Sequence, residues 1–375
     1  MTGTAEKMQF ILQELQKVFG ELKVEWHVFT NCGVRHAQDI KTKEIVLDQI
    51  QFASQLHPIA HPQLTGGRAE DESSPELHQL FMSLLGAVAY LSLTRMDILV
   101  FISALQRHMA KSTFDHVRKL NKLLRWVQKH PYKLHYKRLT SGSGDTEGGS
   151  PGTHLRIVSD AAYKRETEEG FSLRGAVFCR GPGQQLSGAF TAIHVLDYIC
   201  KSQRHVTRST FSAELLAAGD AIDQGVLVSH MLCELEEGVM TPGQARLRYM
   251  EGGFVPMSLC VDAKSVFAAV TATFIKTPAE KSLLCHIQYL RQQLDRKVLT
   301  SLLWLDTRDM GADGLTKGAV SREALQELMR GEMHIRHPSE SWESKGAASD
   351  KYHLVPGSQE HNSRHGGKLW WKGWP

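Results

Sequence analysis

Hydrophobic positions recur with two different periods, and the change of period divides the chain. Near the start, Phe10, Ile11, Leu15, Val18 and Phe19 fall on one side of a helix predicted over 5–20. Residues 24–34 and 44–47 read as strands joined through the polar stretch 39–43, and 49–56 as a short helix. Helical periodicity then dominates at 77–93, 97–109 and 113–129, with Thr94 and Ser112-Thr113 supplying helix-start chemistry at the breaks. A short strand is predicted at 132–136.

From residue 153 the pattern turns to strands. Those at 155–158, 173–179 and 192–199 are close enough in sequence to form an antiparallel meander. Strands at 257–261 and 301–305 alternate with helices at 209–234, 263–273 and 279–297, so they are predicted to add in parallel through crossovers. This order predicts an α/β domain over 153–330 with a five-stranded mixed sheet and flanking helices. Pro, Gly and acidic Ser-rich composition marks 61–75 as a linker. The Ser/Gly-rich run 140–152 reads as a second, flexible one. Beyond residue 330 the polar, Gly/Ser/His-rich sequence predicts disorder, ending in a tail that carries Trp370, Trp371 and Trp374.

Composition narrows the picture only a little. Of the 375 residues 42% are hydrophobic and 22% charged, as in a soluble protein of two or three domains. A net charge of +4 does not by itself identify a nucleic-acid partner, so such a surface has to come from local clustering. The six cysteines form no C-x-x-C pair, which argues against structural zinc and for a reducing compartment, cytoplasmic or nuclear. No run reads as a membrane span, and no membrane partner is expected.

The chemistry lies in four acidic residues. Asp160 is predicted to close the first strand of the sheet-rich region and Asp262 the fourth. Glu214 opens an apolar stripe on a long helix, and Asp313 starts a helical turn after the last strand. Taken singly, each is an ordinary turn residue or cap. Carboxylates delivered from such positions can converge on two divalent cations about 4 Å apart, an arrangement suited to phosphodiester hydrolysis. Hard oxygen donors favour Mg²⁺, with Mn²⁺ an alternative. A basic cluster, Lys201, Arg204, His205 and Arg208, precedes the helix of Glu214 and reads either as a phosphate-contacting surface or as a solvated turn. Asp309 reads as a solvated loop charge, His286 as packing or surface, and Trp126 and Trp304 as core.

These residues bring a family into view. The run Ser83-Leu84-Leu85-Gly86-Ala87-Val88-Ala89-Tyr90-Leu91 with Thr94-Arg95-Met96-Asp97-Ile98 resembles the connection segment of copia-type retrotransposon polyproteins. His116 with Leu123-Leu124-Arg125-Trp126-Val127 is similar to the helix that follows it. Ser159-Asp160-Ala161, Ser172, Gly175, Lys201-Ser202-Gln203, Glu214, Val261-Asp262-Ala263 and Ala312-Asp313-Gly314-Leu315-Thr316-Lys317 follow the order of the family's ribonuclease H domain. The resemblance runs over about residues 1–330. It departs at Met96, at Phe211-Ser212 and at Ser282, and the family's Tyr-x-Asp-Asp polymerase turn does not occur.

The resemblance implies the end of a reverse-transcriptase palm and thumb over 1–60, a helical connection region over 61–139 and a ribonuclease H-like domain over 153–330. It implies that Asp160 bridges two metals, Glu214 and Asp262 complete one, and Asp313 completes the other. Lys201, Gln203, Arg204 and Arg208 would contact nucleic acid. The implied activity is hydrolysis of the RNA strand of an RNA–DNA hybrid, within or alongside the remainder of a retroelement polyprotein and without polymerase activity. A catalytically silent element fragment and a domesticated nucleic-acid-binding or assembly module are the alternatives.

Overall fold

The structure is a computed structural model, which describes residues 5–139, 153–163, 172–182 and 191–345. The chain divides into two compact units, 1–138 with 329–331, and 139–328 with 332–375. The run 140–152 and the Trp-containing tail, for which a flexible linker and disorder were expected, lie outside the described residues.

The first unit combines helices α1 (Ala5–Phe19), α2 (Ile50–Gln55), α3 (Gln63–Gly66), α4 (Pro75–Tyr90), α5 (Leu99–Gln106) and α6 (Phe114–Lys129) with a four-stranded sheet. Its strands β1 (Val28–Asn31), β2 (Val34–Gln38), β3 (Ile45–Asp48) and β4 (Leu134–Tyr136) pair in that order, all antiparallel. The strand expected over 24–34 is interrupted by a tight turn at Cys32 and Gly33, both at positive φ. The boundary expected at 60/61 is crossed in two places. Strand β3 pairs with β4, and Asn121 of α6 exchanges two hydrogen bonds with the Ile59 backbone, at 2.7 and 2.9 Å.

Contrary to the sequence reading, the stretch Pro75–Leu93 is long and apolar enough to cross a membrane by length and composition. Its Leu77, Phe81, Leu84, Leu85 and Val88 are instead buried in a shared core with Val117, Leu120 and Leu124 of α6. An apolar stripe that meets another stripe satisfies the same burial requirement inside a protein.

The second unit contains β5 (Thr153–Ala162), β6 (Leu173–Pro182), β7 (Thr191–Ala192), β8 (His194–Ser202), β9 (Met257–Val261), β10 (Ser301–Trp304), β11 (Glu332–Met333) and β12 (Glu340–Trp342). Its helices are α7 (Thr210–Glu237), α8 (Pro242–Met250), α9 (Lys264–Thr271), α10 (Leu283–Asp295), α11 (Asp313–Thr316) and α12 (Glu323–Met329). Six strands form a mixed sheet in the order β12-β10-β9-β5-β6-β8. Strands β5, β6 and β8 are the expected antiparallel meander, while β9 and β10 add in parallel. The sixth strand is a correction. Residues 331–345 were expected to be disordered, yet β12 pairs antiparallel with β10 and β11 pairs with β7.

All ten positions of β5 are buried, as befits a central strand covered on both faces. Helix α7 packs on this strand through small residues. A Cβ on Gly225 would come within 2.3 Å of Ile157 Cδ1, and Ala217, Ala218 and Ala221 are buried along the same helix. Ser209 caps α7, its hydroxyl accepting from the Ser212 N–H. Helix α8 went unread in the sequence although its start is marked by Thr241, Pro242 and a Thr241/Gln244 capping box.

Candidate metal centre

The central strand carries the site. Asp160 lies within β5 instead of at its end, opposite Gly175 of β6, and is fully buried. Asp262 follows β9 directly, so the parallel neighbour of β5 delivers it at the same end of the sheet as Asp160. Asp313 opens α11, and Glu214 stands in the second turn of α7, where that helix packs on β5.

Asp160, Asp262 and Asp313 each present a carboxylate oxygen within 4.8 Å of the other two. Glu214, expected to converge with them, is buried but does not join that group of three. Its carboxyl is pushed up to about 9 by burial and by the charges of Asp160 and Asp262, against a hydrogen bond from the Ala161 backbone. Burial and Asp160 raise Asp313 to about 7, and the same two causes raise Asp262. Close, buried carboxylates disfavour ionisation unless a cation compensates them. Their oxygens are hard donors, so the set fits a divalent cation.

Neighbouring groups fix the carboxylates. The Thr316 hydroxyl donates to Asp160 Oδ2, and Lys317 Nζ lies 3.1 Å from Asp160 Oδ1 and 2.7 Å from Asp313 Oδ1. Thr307 Oγ1 donates to Asp262 Oδ2 at 3.1 Å, and the indole N–H of Trp304 donates to the Asp262 backbone carbonyl at 2.8 Å. Thr307 and Lys317 were not singled out in the sequence as parts of the site. The spacing of Lys317 four residues after Asp313 was the available signal, because it puts both on one side of a helical turn.

The basic cluster divides. Lys201, Arg204, His205 and Arg208 are exposed at the end of β8 and in the turn leading into α7. Gln203, expected to touch nucleic acid, is buried, and its amide donates to the Ala213 carbonyl at 2.6 Å. It ties the turn to the start of α7. The expectation for Asp309 is also corrected. That residue is buried, accepting the backbone N–H groups of Arg336 and His337 at 3.0 and 2.8 Å and facing His337 Nδ1 at 2.9 Å. The sequence after residue 330, expected to be disordered, brings these donors back to it. His286 is half-buried, and Trp126 and Trp304 pack partly buried against the cores of their own units.

No family model matches the chain. It is 23% identical over 276 residues to the retrovirus-related Pol polyprotein from transposon RE2 of Arabidopsis thaliana, which covers 73% of this chain and 16% of that protein. To the corresponding polyprotein from transposon RE1 it is 22% identical over 247 residues, 66% of this chain and 14% of the relative. The chain thus spans about one sixth of the length of these curated homologues. Among solved structures, the N-terminal ribonuclease H domain of a Mycobacterium tuberculosis protein aligns with a TM-score of 0.28 and 17% identity, covering 47% of this chain and 99% of that one. Ribonuclease H1 of Halobacterium salinarum gives 0.26 and 12%, covering 46% and 98%. The protease–reverse transcriptase of prototype foamy virus gives 0.22 and 11%, covering 80% and 39%. The homologues are retrovirus-related Pol polyproteins of transposons, in keeping with the resemblance read from the motifs.

Proposed function

We propose that the second unit is a metal-dependent nuclease of the ribonuclease H type that cuts the RNA strand of an RNA–DNA hybrid. The observation that carries this reading is the convergence of Asp160, Asp262 and Asp313 from two strands and a helical turn, with Glu214 electrostatically joined to them. The names of the curated homologues support it, since copying a retroelement RNA produces such a hybrid.

Asp160, Asp262, Asp313 and Glu214 would hold the cations, Asp160 from the centre of the group. When bound, two such ions supply a hydroxide-like nucleophile at neutral pH and stabilise the leaving oxygen. The chain's own residues position the donors: the Thr316 hydroxyl orients Asp160, and Thr307 with the Trp304 indole orients Asp262. The exposed Lys201, Arg204 and Arg208 would take phosphates of the duplex, a sequence-independent contact. Recognition would then rest on groove shape and 2′-hydroxyls.

The test uses a hybrid labelled separately on its RNA and DNA strands, incubated with the purified full chain and Mg²⁺ or Mn²⁺. Shortened RNA with intact DNA, abolished by chelator, supports the reading. An uncut hybrid bound with steep salt dependence replaces it with a nucleic-acid-binding module.

A further inference from the structure

Lys317 brings a positive charge into the carboxylate cluster. It caps the four-residue turn α11, its backbone N–H donating to the Asp313 carbonyl at 2.9 Å. From there Nζ reaches two carboxylates at once, 2.7 Å from Asp313 and 3.1 Å from Asp160. These are two of the three aspartates whose oxygens lie within 4.8 Å of one another. An ammonium so placed draws on the same oxygens that a cation held by this group would need.

We propose that the Lys317 ammonium is the resident counter-ion of the cluster, and that divalent cations enter by displacing it. The inference rests on reading the carboxylates as a metal site and adds a residue that sets how readily they fill. Two features make the displacement feasible. The Lys317 side chain is one-third exposed, whereas that of Asp160 is fully buried, so the lysine borders water where the carboxylate does not. The Thr316 hydroxyl holds the other Asp160 oxygen, so the carboxylate keeps a hydrogen bond when the lysine swings out.

The consequence is competition. A tethered cation keeps the carboxylates together without a metal and raises the concentration of metal needed to fill them. Removing it should tighten divalent binding while weakening the ion-free protein.

The experiment is calorimetric titration of Mn²⁺ into the chelator-stripped full chain, as wild type, Lys317→Met and Lys317→Arg, with melting curves of each with and without Mn²⁺. Lys317→Met is expected to bind about tenfold more tightly, because a like charge in contact with the ion's ligands has gone. It should also melt lower than wild type without metal and gain more on adding it. Lys317→Arg, which keeps the charge, should stay near wild type. If Lys317→Met is unfolded without metal, refolding on Mn²⁺ addition is the supporting result and failure to refold the opposing one. Equal or weaker Mn²⁺ binding by folded Lys317→Met overturns the proposal. Tighter binding without hybrid cleavage leaves it standing and removes the nuclease reading. Absence of Mn²⁺ binding in all three proteins overturns both.

Discussion

Gly175 and Thr316 approach so closely that a Cβ on the glycine would lie 2.8 Å from Thr316 Cγ2, with Leu315 Cβ at the same distance. The missing side chain lets α11 rest on β6 opposite Asp160, which brings the Thr316 hydroxyl and the Lys317 ammonium to that carboxylate. Gly175→Val should push α11 outward, costing about 1–3 kcal/mol as an overpacked contact. Denaturant unfolding measures this cost. Because α11 also carries the carboxylate Asp313, Mn²⁺ titration of the same variant should show weakened binding despite the retreat of Lys317, and unchanged binding would mean that α11 is not positioned by the glycine.

Without cations the raised carboxyls make stability depend on pH. Glu214 stands near 9 and Asp313 near 7, above their ordinary values of 4.5 and 3.8. A carboxyl raised in the folded state binds its proton more tightly there than when unfolded. Its stabilising contribution is therefore complete below about pH 4 and is lost as pH rises through about 7 and then 9. Melting curves in chelator should fall by at least about 5 °C between pH 5 and pH 9, at roughly 2–4 °C per kcal/mol for a domain of this size. Saturating Mg²⁺ should flatten the decline, and a chelator-treated protein that melts equally at both ends would contradict the clustering.

Asp309 holds the segment that returns after residue 330. Asp309→Ala leaves the N–H groups of Arg336 and His337 without their acceptor, at a cost of about 1–3 kcal/mol. Limited proteolysis should then cut near 336–340, a region protected in the wild type. Equal protection in both proteins would show that β12 is held without Asp309, through its pairing with β10 and the Lys264–Glu340 ion pair.

In the first unit, Arg95 and Asp97 form a buried bidentate pair, both contacts at 2.9 Å, with the guanidinium 5.5 Å from the Trp126 ring centre and 5.2 Å from that of Tyr132. Asp97→Ala strands a buried charge and should destabilise this unit by about 3–5 kcal/mol. Arg95→Lys should also destabilise it, because an ammonium cannot reproduce the paired geometry. A cost below about 1 kcal/mol for Asp97→Ala, the range of exposed ion pairs, would show that the pair does not hold this unit together.

Much of the sheet was legible because its strands are short apolar runs whose spacing dictates hairpins or crossovers. Asp262 and Asp313 fell where strand and helix ends were expected. Asp160 did not, since Ser159 and Asp160 read as the end of an apolar run although pairing with Gly175 carries the strand on to Ala162. Strand β12 escaped notice because three residues, Glu340–Trp342, carry no periodicity and are ordered by the β10 edge they meet. Gln203 and Asp309 were misread for a common reason: whether a polar side chain faces water or a backbone partner depends on segments distant in sequence. His116, noted only within a motif, proves to be a cap acceptor, taking the Thr113 N–H at 3.0 Å.

Hydrolysis by the carboxylate cluster is tested by comparing wild type with Asp160→Asn on a strand-labelled RNA–DNA hybrid in Mg²⁺ and in Mn²⁺. The substitution keeps size and removes the charge from the one carboxylate that Thr316 and Lys317 both contact. Wild type should cleave the RNA strand, Asp160→Asn should lose that cleavage, and both should still bind the hybrid. Cleavage that survives Asp160→Asn at the wild-type rate, or a wild-type protein that leaves the hybrid uncut in both metals, would contradict hydrolysis by the cluster.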